Sequence, residues 1–127
     1  MITGLNHITL SCSSLEKSLI FYHGLLQFDI EHRWDKGVYL SCGSLWFCLV
    51  EKENYRAALQ GYSHLAFSVA QENFESWKNK LQAAKVQQWQ DNSSEGDSLY
   101  FLDPDGHQLE LHVGNLQSRL ASIANHR

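Results

Sequence analysis

The chain has 127 residues, of which 43% are hydrophobic and 19% charged, and its net charge is -4 with the histidines counted as neutral. A chain of this length buries roughly two-thirds of the surface that it exposes when unfolded, so we expect one domain that folds without disulfides. The lysines and arginines form no cluster, which argues against a nucleic-acid partner. No apolar run approaches the roughly 18 residues of a membrane span and the N-terminus has no leader pattern, so we expect a cytoplasmic protein without a membrane partner.

The first half of the chain predicts a strand, a helix and three further strands. The opening strand is NHITLS, residues 6–11, and Ser13 or Ser14 can cap the helix that follows. Apolar residues recur in that helix at helical spacing, namely Leu15, Leu19, Tyr22 and Leu26. Strand-like runs then follow, separated by the turn sequences DKG and CGS, at 28–34, 38–42 and 45–50. This first βαβββ module spans about residues 1–51.

The second half repeats that order. SHLAFS, residues 63–68, matches NHITLS, and the helix after it carries Phe74, Trp77, Leu81 and Ala84 at helical spacing. Strands are predicted around the clear turn DPDG, at 86–89, 98–102 and 108–113. The second βαβββ module thus spans about residues 62–113, after a linker at 52–61 and before a C-terminal helix at 115–125.

The repeat predicts an α+β fold. A module this small cannot cover both faces of its own sheet, so two modules should pair around a shared concave mixed sheet, within one chain or between two.

Strand alternation places three metal-ligating residue types on the concave side. His7 and His64 hold matched positions in the two repeats, and Glu110 occupies the corresponding face of the last strand. Two imidazoles and one carboxylate suit Zn, Fe or Mn with open positions for a substrate. A strand histidine is more often a core or surface residue, and it is the matched repetition that favours a metal site. We expect His112, on the same face, to play a supporting or surface role.

The loop DNSSEGDS, residues 91–98, leads into the strand beside Glu110. Such a loop is most often only a turn, but its hydroxyls and carbonyls also suit a monovalent cation or an anionic ligand. Arg119 offers a cationic partner for an anion, although an isolated arginine is usually a surface residue.

These residues, together with Thr9, Trp46 and the segments NSSEGDSLYFLDPDG and LELHVGNLQSRLA, resemble the fosfomycin resistance proteins of the glutathione transferase type. That family lies in the vicinal oxygen chelate superfamily, with glyoxalase I and extradiol dioxygenases as relatives. The likeness runs from GLNHITLS to SRLA. It implies a glyoxalase-like fold and a domain-swapped homodimer, in which the first module of one chain completes the site of its partner's second module.

The resemblance also implies roles for individual residues. His7 of one chain, with His64 and Glu110 of its partner, would hold Mn(II), with Zn, Fe or Ni as alternatives. Thr9 would lie against the epoxide oxygen, Trp46 against the substrate and Tyr39 near the incoming thiolate. The residues that would surround the phosphonate are Ser94, Ser98, Tyr100 and Arg119. Those that would hold K+ are Asn92, Ser94, Glu95, Gly96 and Ser98.

The implied reaction is the addition of glutathione to the epoxide of fosfomycin, which gives antibiotic resistance. The metal would act as a Lewis acid and hydroxyl donors would stabilise the charge that develops. Hydrolase relatives carry a glutamate base near Ser44, and no equivalent is evident in this chain, so thiol addition is favoured over water addition.

Two departures from the family pattern bear on the substrate. Most members of this type have Lys at the position of Gln90 and Arg at that of Ser93, and each missing charge-assisted contact costs about 1.5 to 3 kcal/mol. The chain also ends at Arg127, without the aromatic tail of many relatives. Two alternatives therefore stay open: a related metalloenzyme acting on another small oxyanion, and a metal-free drug-binding module similar to the bleomycin-sequestering members of the superfamily.

Overall fold

The computed structural model describes residues 1–57, 61–93 and 95–125. The chain divides into two units, each built on a four-stranded mixed sheet. The first unit comprises Met1–Ala58 with Pro104–Gly106, and the second comprises Leu59–Asp103 with His107–Arg127. The α+β fold class predicted from the repeat is confirmed.

The first unit has the strand order β1-β4-β3-β2, in which β1 runs parallel to β4 and the other pairs are antiparallel. Its elements are β1 (His7–Cys12), α1 (Leu15–Leu19), a π-helical segment (Ile20–Leu25), β2 (Asp29–Trp34), β3 (Gly37–Cys42) and β4 (Leu45–Glu51). One face of the sheet packs on the helix through a buried core, which includes Tyr22, Val38, Leu40, Phe47 and Leu49.

The first helix begins where the sequence predicts, but it changes type after Leu19. Ser14 caps it by accepting a hydrogen bond from Lys17 N at 3.3 Å. From Ile20 the helix widens into a π-helix, as shown by Leu26 N donating to Phe21 O at 2.9 Å. Both Phe21 and Tyr22 are buried, so the two adjacent aromatic side chains of this segment pack in the core.

The second unit repeats the sheet order, as β5-β8-β7-β6. Its elements are β5 (Leu65–Ser68), α2 (Gln71–Ala83), β6 (Gln88–Gln90), β7 (Ser98–Leu102), β8 (Gln108–His112) and α3 (Leu116–Asn125). The core lies on the α2 side and includes Phe67, Phe74, Leu81, Leu99, Phe101, Leu109 and Leu111. β6 begins at Gln88 rather than at Val86, and its pairing with β7 shifts register between Gln88 and Gln90. None of the described helices has the length and apolar character needed to cross a membrane.

Candidate functional site

The sheet of the second unit directs a buried carboxylate to the face opposite its core. In β8, Leu109 and Leu111 point into the core, and Glu110 lies on the other face, between Ala66 of β5 and Tyr100 of β7. Glu110 is only 6% exposed. A carboxylate so removed from water needs hydrogen-bond donors or a cation to compensate its charge.

His64 supplies the first partner of that carboxylate. Its Nδ1 lies 2.6 Å from Tyr62 O, and because a carbonyl oxygen only accepts, Nδ1 carries the proton and donates it. In a neutral ring Nε2 then holds a lone pair, and this atom lies 2.9 Å from Glu110 Oε1. Two electron-rich atoms therefore face each other at hydrogen-bond distance.

This donor pair suits a divalent metal. Imidazole nitrogen and carboxylate oxygen bind such ions at about 2.0 to 2.2 Å, so two donor atoms 2.9 Å apart can share one ion. The Nδ1 hydrogen bond to a backbone carbonyl is the arrangement that fixes the tautomer of a metal-binding histidine. Within residues 1–57, 61–93 and 95–125, no cluster of three or more His, Cys, Asp or Glu is placed to hold a metal ion. The His64 and Glu110 pair thus offers two ligands.

The second oxygen of Glu110 is held by a serine. Ser98 Oγ donates to Glu110 Oε2 at 2.7 Å and also lies 2.6 Å from His112 Nδ1. Ser98 is buried and lies opposite His112 in the β7 and β8 pair. The sequence places Ser98 at the end of the loop that leads into the strand beside Glu110, and the contact between the two side chains comes from the strand register.

Aromatic rings border the pair. The Tyr100 ring lies 6.0 Å from the His64 ring and 5.2 Å from that of Trp89, between ring centres. The Trp89 ring is 5.4 Å from His64, and its indole N–H donates to Leu109 O at 2.9 Å. Sequence reasoning gave Trp89 no role. The only sequence indication was an apolar residue between two glutamines, and Trp89 lies where the pairing of β6 with β7 shifts register.

The loop before β7 contacts the same part of the sheet. Asn92 Nδ2 donates to Gly96 O at 2.8 Å, which closes the loop on itself. Glu95 Oε1 lies 3.4 Å from Arg119 Nε on α3 and 3.9 Å from His112 Nε2. Gly96 has φ +75°, and a Cβ there would lie 2.3 Å from Val113 O, so this position requires glycine. Ser94, predicted to contact both the phosphonate and K+, lies outside the described residues.

The first unit presents the other predicted residues on the sheet face opposite its core. The exposed His7 donates from Nδ1 to Asn6 Oδ1 at 2.8 Å, and its ring centre lies 4.3 Å from that of Trp46. The Trp46 ring in turn contacts Tyr39 edge-on at 5.3 Å. His7, Trp46 and Tyr39 therefore form one continuous surface.

Thr9 has a neighbour that the sequence did not indicate. It pairs with Cys48 across β1 and β4, and the Thr9 hydroxyl hydrogen-bonds the Cys48 thiol. Burial raises the pKa of Cys48, and the hydrogen bond from Thr9 lowers it in part. The thiol is therefore protonated near neutral pH, which fits a fixed hydrogen-bond partner rather than a nucleophile.

Comparisons with known proteins agree on one superfamily. The model of the Glyoxalase/Bleomycin resistance protein/Dioxygenase superfamily matches residues 4–111. The glutathione transferase FosA of Serratia marcescens is 50% identical over 125 residues, covering 96% of this chain and 89% of that protein. The metallothiol transferase FosB of Staphylococcus haemolyticus is 39% identical over 131 residues, covering 95% of this chain and 91% of that protein.

Solved structures show the same relationship. A variant of the fosfomycin resistance protein FosX from Listeria monocytogenes, in complex with Mn(II) and 1S,2S-dihydroxypropylphosphonic acid, superposes with a TM-score of 0.84. It is 30% identical, and the match covers 97% of this chain and 99% of that chain. FosX from Mesorhizobium loti superposes with a TM-score of 0.81 at 28% identity, covering 94% and 99%.

Proposed function

The chain belongs to the glyoxalase, bleomycin resistance protein and dioxygenase superfamily, and on this premise we propose that it is a fosfomycin resistance enzyme. It adds the thiol of glutathione to the epoxide of fosfomycin, with a divalent metal in its site. The 50% identity to a glutathione transferase over nearly the whole chain favours this thiol and this reaction.

One observation carries the metal requirement: His64 Nε2 and Glu110 Oε1 converge at 2.9 Å. We propose Mn(II), because a relative that superposes with a TM-score of 0.84 was solved with that ion. The metal, when bound, acts as a Lewis acid toward the epoxide oxygen. The exposed His7 is the proposed third ligand, and its hydrogen bond to Asn6 leaves Nε2 as the free donor.

The residues around the His64 and Glu110 pair bind the substrate and stabilise the charge that develops in the reaction. The Thr9 hydroxyl, which lies beside Cys48, would turn its single proton from that thiol to the epoxide oxygen as negative charge develops there. Tyr100 and Arg119, with Ser94, bind the phosphonate, and Ser98 borders it while its hydroxyl proton stays directed at Glu110. Trp46 covers the substrate, and Tyr39 lies beside the entering thiolate. Glutathione enters as its thiolate, having released its thiol proton to solvent. Attack by sulfur on one epoxide carbon breaks the C–O bond at that carbon, and the oxygen, still bound to the neighbouring carbon, takes up one proton from solvent.

We assign the loop at residues 92–98 to K+. The Asn92, Glu95, Gly96 and Ser98 side chains and carbonyls, with Ser94, supply hard oxygen donors of the kind that such a cation prefers. A cation held there would offset the substrate charge together with Arg119, whose Nε lies 3.4 Å from Glu95 Oε1 of the same loop. Glutathione is a cytoplasmic reductant, so its use as the thiol substrate supports a cytoplasmic location for this enzyme.

We further propose a homodimer in which His7, Thr9, Trp46 and Tyr39 of one chain complete the site of the other. Support comes from the apolar face of α3, where Leu116, Leu120 and Ile123 are each more than half exposed. Apolar side chains grouped on one face of a helix are typical of a surface that another chain covers.

A product analysis tests this function. Protein loaded with Mn(II) in K+ buffer is incubated with fosfomycin and glutathione, and mass spectrometry follows the product. We expect an adduct whose mass is the sum of the two reactants, and none with the Glu110→Gln variant. Absence of the adduct from the wild-type reaction sinks the proposal. Formation of a diol without glutathione would instead assign water addition.

A second candidate is a related metalloenzyme acting on another small oxyanion. It is favoured by Gln90, whose uncharged amide donates to Tyr62 Oη at 3.4 Å, in the place where most relatives of this type carry a lysine. Tight Mn(II) binding by a protein that forms no fosfomycin adduct would support this alternative. If the protein bound no divalent metal, the remaining alternative would be that it is a metal-free drug-binding module.

A further inference from the structure

We propose that His112 is a positioning residue for the metal carboxylate: through Ser98 it reserves one oxygen of Glu110 for the metal and blocks the other. The inference deepens the proposed function and rests on its metal site. It is carried by the hydrogen bonds that join Glu110, Ser98 and His112 on the face of the second sheet.

The direction of these hydrogen bonds follows from their chemistry. An ionised carboxylate only accepts, so the Ser98 hydroxyl must donate its single proton to Glu110 Oε2, at 2.7 Å. Ser98 Oγ has then no proton left for His112 Nδ1, which lies 2.6 Å away. Nδ1 must therefore carry a proton and donate it to Ser98. His112 thereby prevents the Ser98 hydroxyl from turning away from Glu110.

The consequence falls on the two oxygens of Glu110. Oε2 is committed to Ser98 and lies 3.4 Å from His112 Nδ1. Oε1 faces His64 Nε2 at 2.9 Å. The carboxylate thus presents one oxygen on the side of the metal-binding histidine, which makes it a one-oxygen ligand and leaves room for substrate oxygens.

The His112 ring is itself held in place. Its side chain is 16% exposed, and two glycines border it. A Cβ at Gly96 would lie 3.2 Å from His112 Cε1, and a Cβ at Gly114 would lie 3.2 Å from His112 Nε2. The close approach of backbone at the Cε1 and Nε2 edge leaves the ring little freedom to rotate, so Nδ1 stays directed at Ser98.

Nuclear magnetic resonance of the apo protein tests the hydrogen-bond direction without any metal. Nitrogen-15 shifts of the His112 ring distinguish a protonated from an unprotonated nitrogen. We expect the proton on Nδ1, and a ring protonated on Nε2 alone would overturn the proposal. This measurement is independent of whether the protein turns over fosfomycin.

Metal titration of three variants tests the consequence. Partners behind a metal ligand typically change metal affinity 10- to 100-fold, so we expect His112→Phe to weaken Mn(II) binding by about tenfold or more. His112→Asn places an amide donor near the position of Nδ1 and should stay within about threefold of the wild type, whereas His112→Gln, whose donor reaches the position of Nε2, should behave as His112→Phe. His32→Phe is the matched control, on the exposed edge strand β2 of the other unit.

The outcomes separate this inference from the proposed function. Wild-type affinity in His112→Phe, or equal losses in the Asn and Gln variants, would overturn the role of Nδ1. A wild-type protein that binds Mn(II) but forms no glutathione adduct refutes the proposed reaction and leaves His112 to be decided by the titration. If the wild type bound no divalent metal, the positioning role would fall with the site, and the nitrogen-15 shifts would still decide the hydrogen-bond direction.

Discussion

Glu110 shows how far residue identity alone can locate a site. Strand alternation predicts that Glu110 faces away from Leu109 and Leu111, and the structure confirms this. Alternation cannot tell which residues of neighbouring strands lie opposite, because the pairing register depends on tertiary packing. The Ser98 contact to Glu110 was therefore not predictable, nor was the contact of the Trp89 ring with His64, since both depend on how neighbouring strands pair.

Tyr100 provides a test of substrate binding at a single atom. Its side chain is buried beside His64, and we assign its hydroxyl to the phosphonate. Tyr100→Phe removes a hydrogen bond to a charged group, worth about 1.5 to 3 kcal/mol, so KM for fosfomycin should rise about tenfold or more. Steady-state kinetics measures this, and Mn(II) affinity should not change. Tyr55→Phe, in the first unit, is the matched control, and an unaltered KM in Tyr100→Phe would remove the hydroxyl from the site.

Gln90 allows the opposite experiment, a gain of binding. Gln90→Lys introduces a positive charge on the strand that borders Tyr62, where we expect the anionic substrate or thiol. KM for fosfomycin or for glutathione should fall by about tenfold, the lower end of the range for one charge-assisted contact. Gln88→Lys adds the same charge on the same short strand and should have a smaller effect. Equal effects of the two variants would indicate that the added positive charge acts through long-range electrostatic attraction, and not through a specific contact of the introduced lysine with the substrate.

At the scale of elements, the repeated order of strands and helices was predictable because hydrophobic periodicity reports it directly. The helix that begins at Leu15 was predicted to continue as one α-helix, whereas the structure changes to a π-helix at Ile20. The spacing of Leu15, Leu19, Tyr22 and Leu26 is compatible with both forms over so few turns. The π-helix allows both Phe21 and Tyr22 to pack in the core. The spacing of the apolar residues does not show that both adjacent side chains are buried.

The start of α1 has a pH-dependent stabiliser. Glu51 Oε1 accepts a hydrogen bond from Leu15 N at 2.8 Å, and Oε2 pairs with Lys36 Nζ at 3.1 Å. The hydrogen bond from Leu15, followed by that from Lys36, lowers the pKa of Glu51 below 4.5. Because the pKa of Glu51 is lower in the folded state than in the unfolded state, the full stabilisation is present at pH values above the ordinary pKa of 4.5. It is lost as the pH falls through the lowered pKa of the folded state.

Glu51→Gln tests this link by thermal denaturation across pH. The variant should melt at a lower temperature than the wild type at pH 7, and the difference should shrink as the pH drops well below 4.5, where both side chains are uncharged. Glu53→Gln removes a neighbouring exposed charge and should leave the melting temperature nearly unchanged. A difference between wild type and Glu51→Gln that stays constant with pH would show that the charge of Glu51 is not involved.

At the scale of the whole molecule, the repeat in the sequence predicted two alike halves, and both sheets have the same strand order. The sequence could not show in the same way whether the site forms within one chain or between two. His7 lies in the first unit and His64 with Glu110 in the second, and sequence patterns do not distinguish a site formed within one chain from one shared between two. The exchanged dimer therefore stays a prediction, supported by the resemblance to a family and by the exposed apolar face of α3.

Mixing two inactive variants tests the shared metal site most directly. In a dimer of one His7→Ala chain and one His64→Ala chain, one site lacks both histidines and the other retains both. Random pairing from an equal mixture makes half of the dimers mixed, so adduct formation from fosfomycin and glutathione should recover to about a quarter of the wild-type rate. Each variant alone should form almost no adduct. No recovery on mixing, after exchange of subunits has been verified, would contradict a site shared between chains, and full activity of either variant alone would contradict the metal ligands themselves.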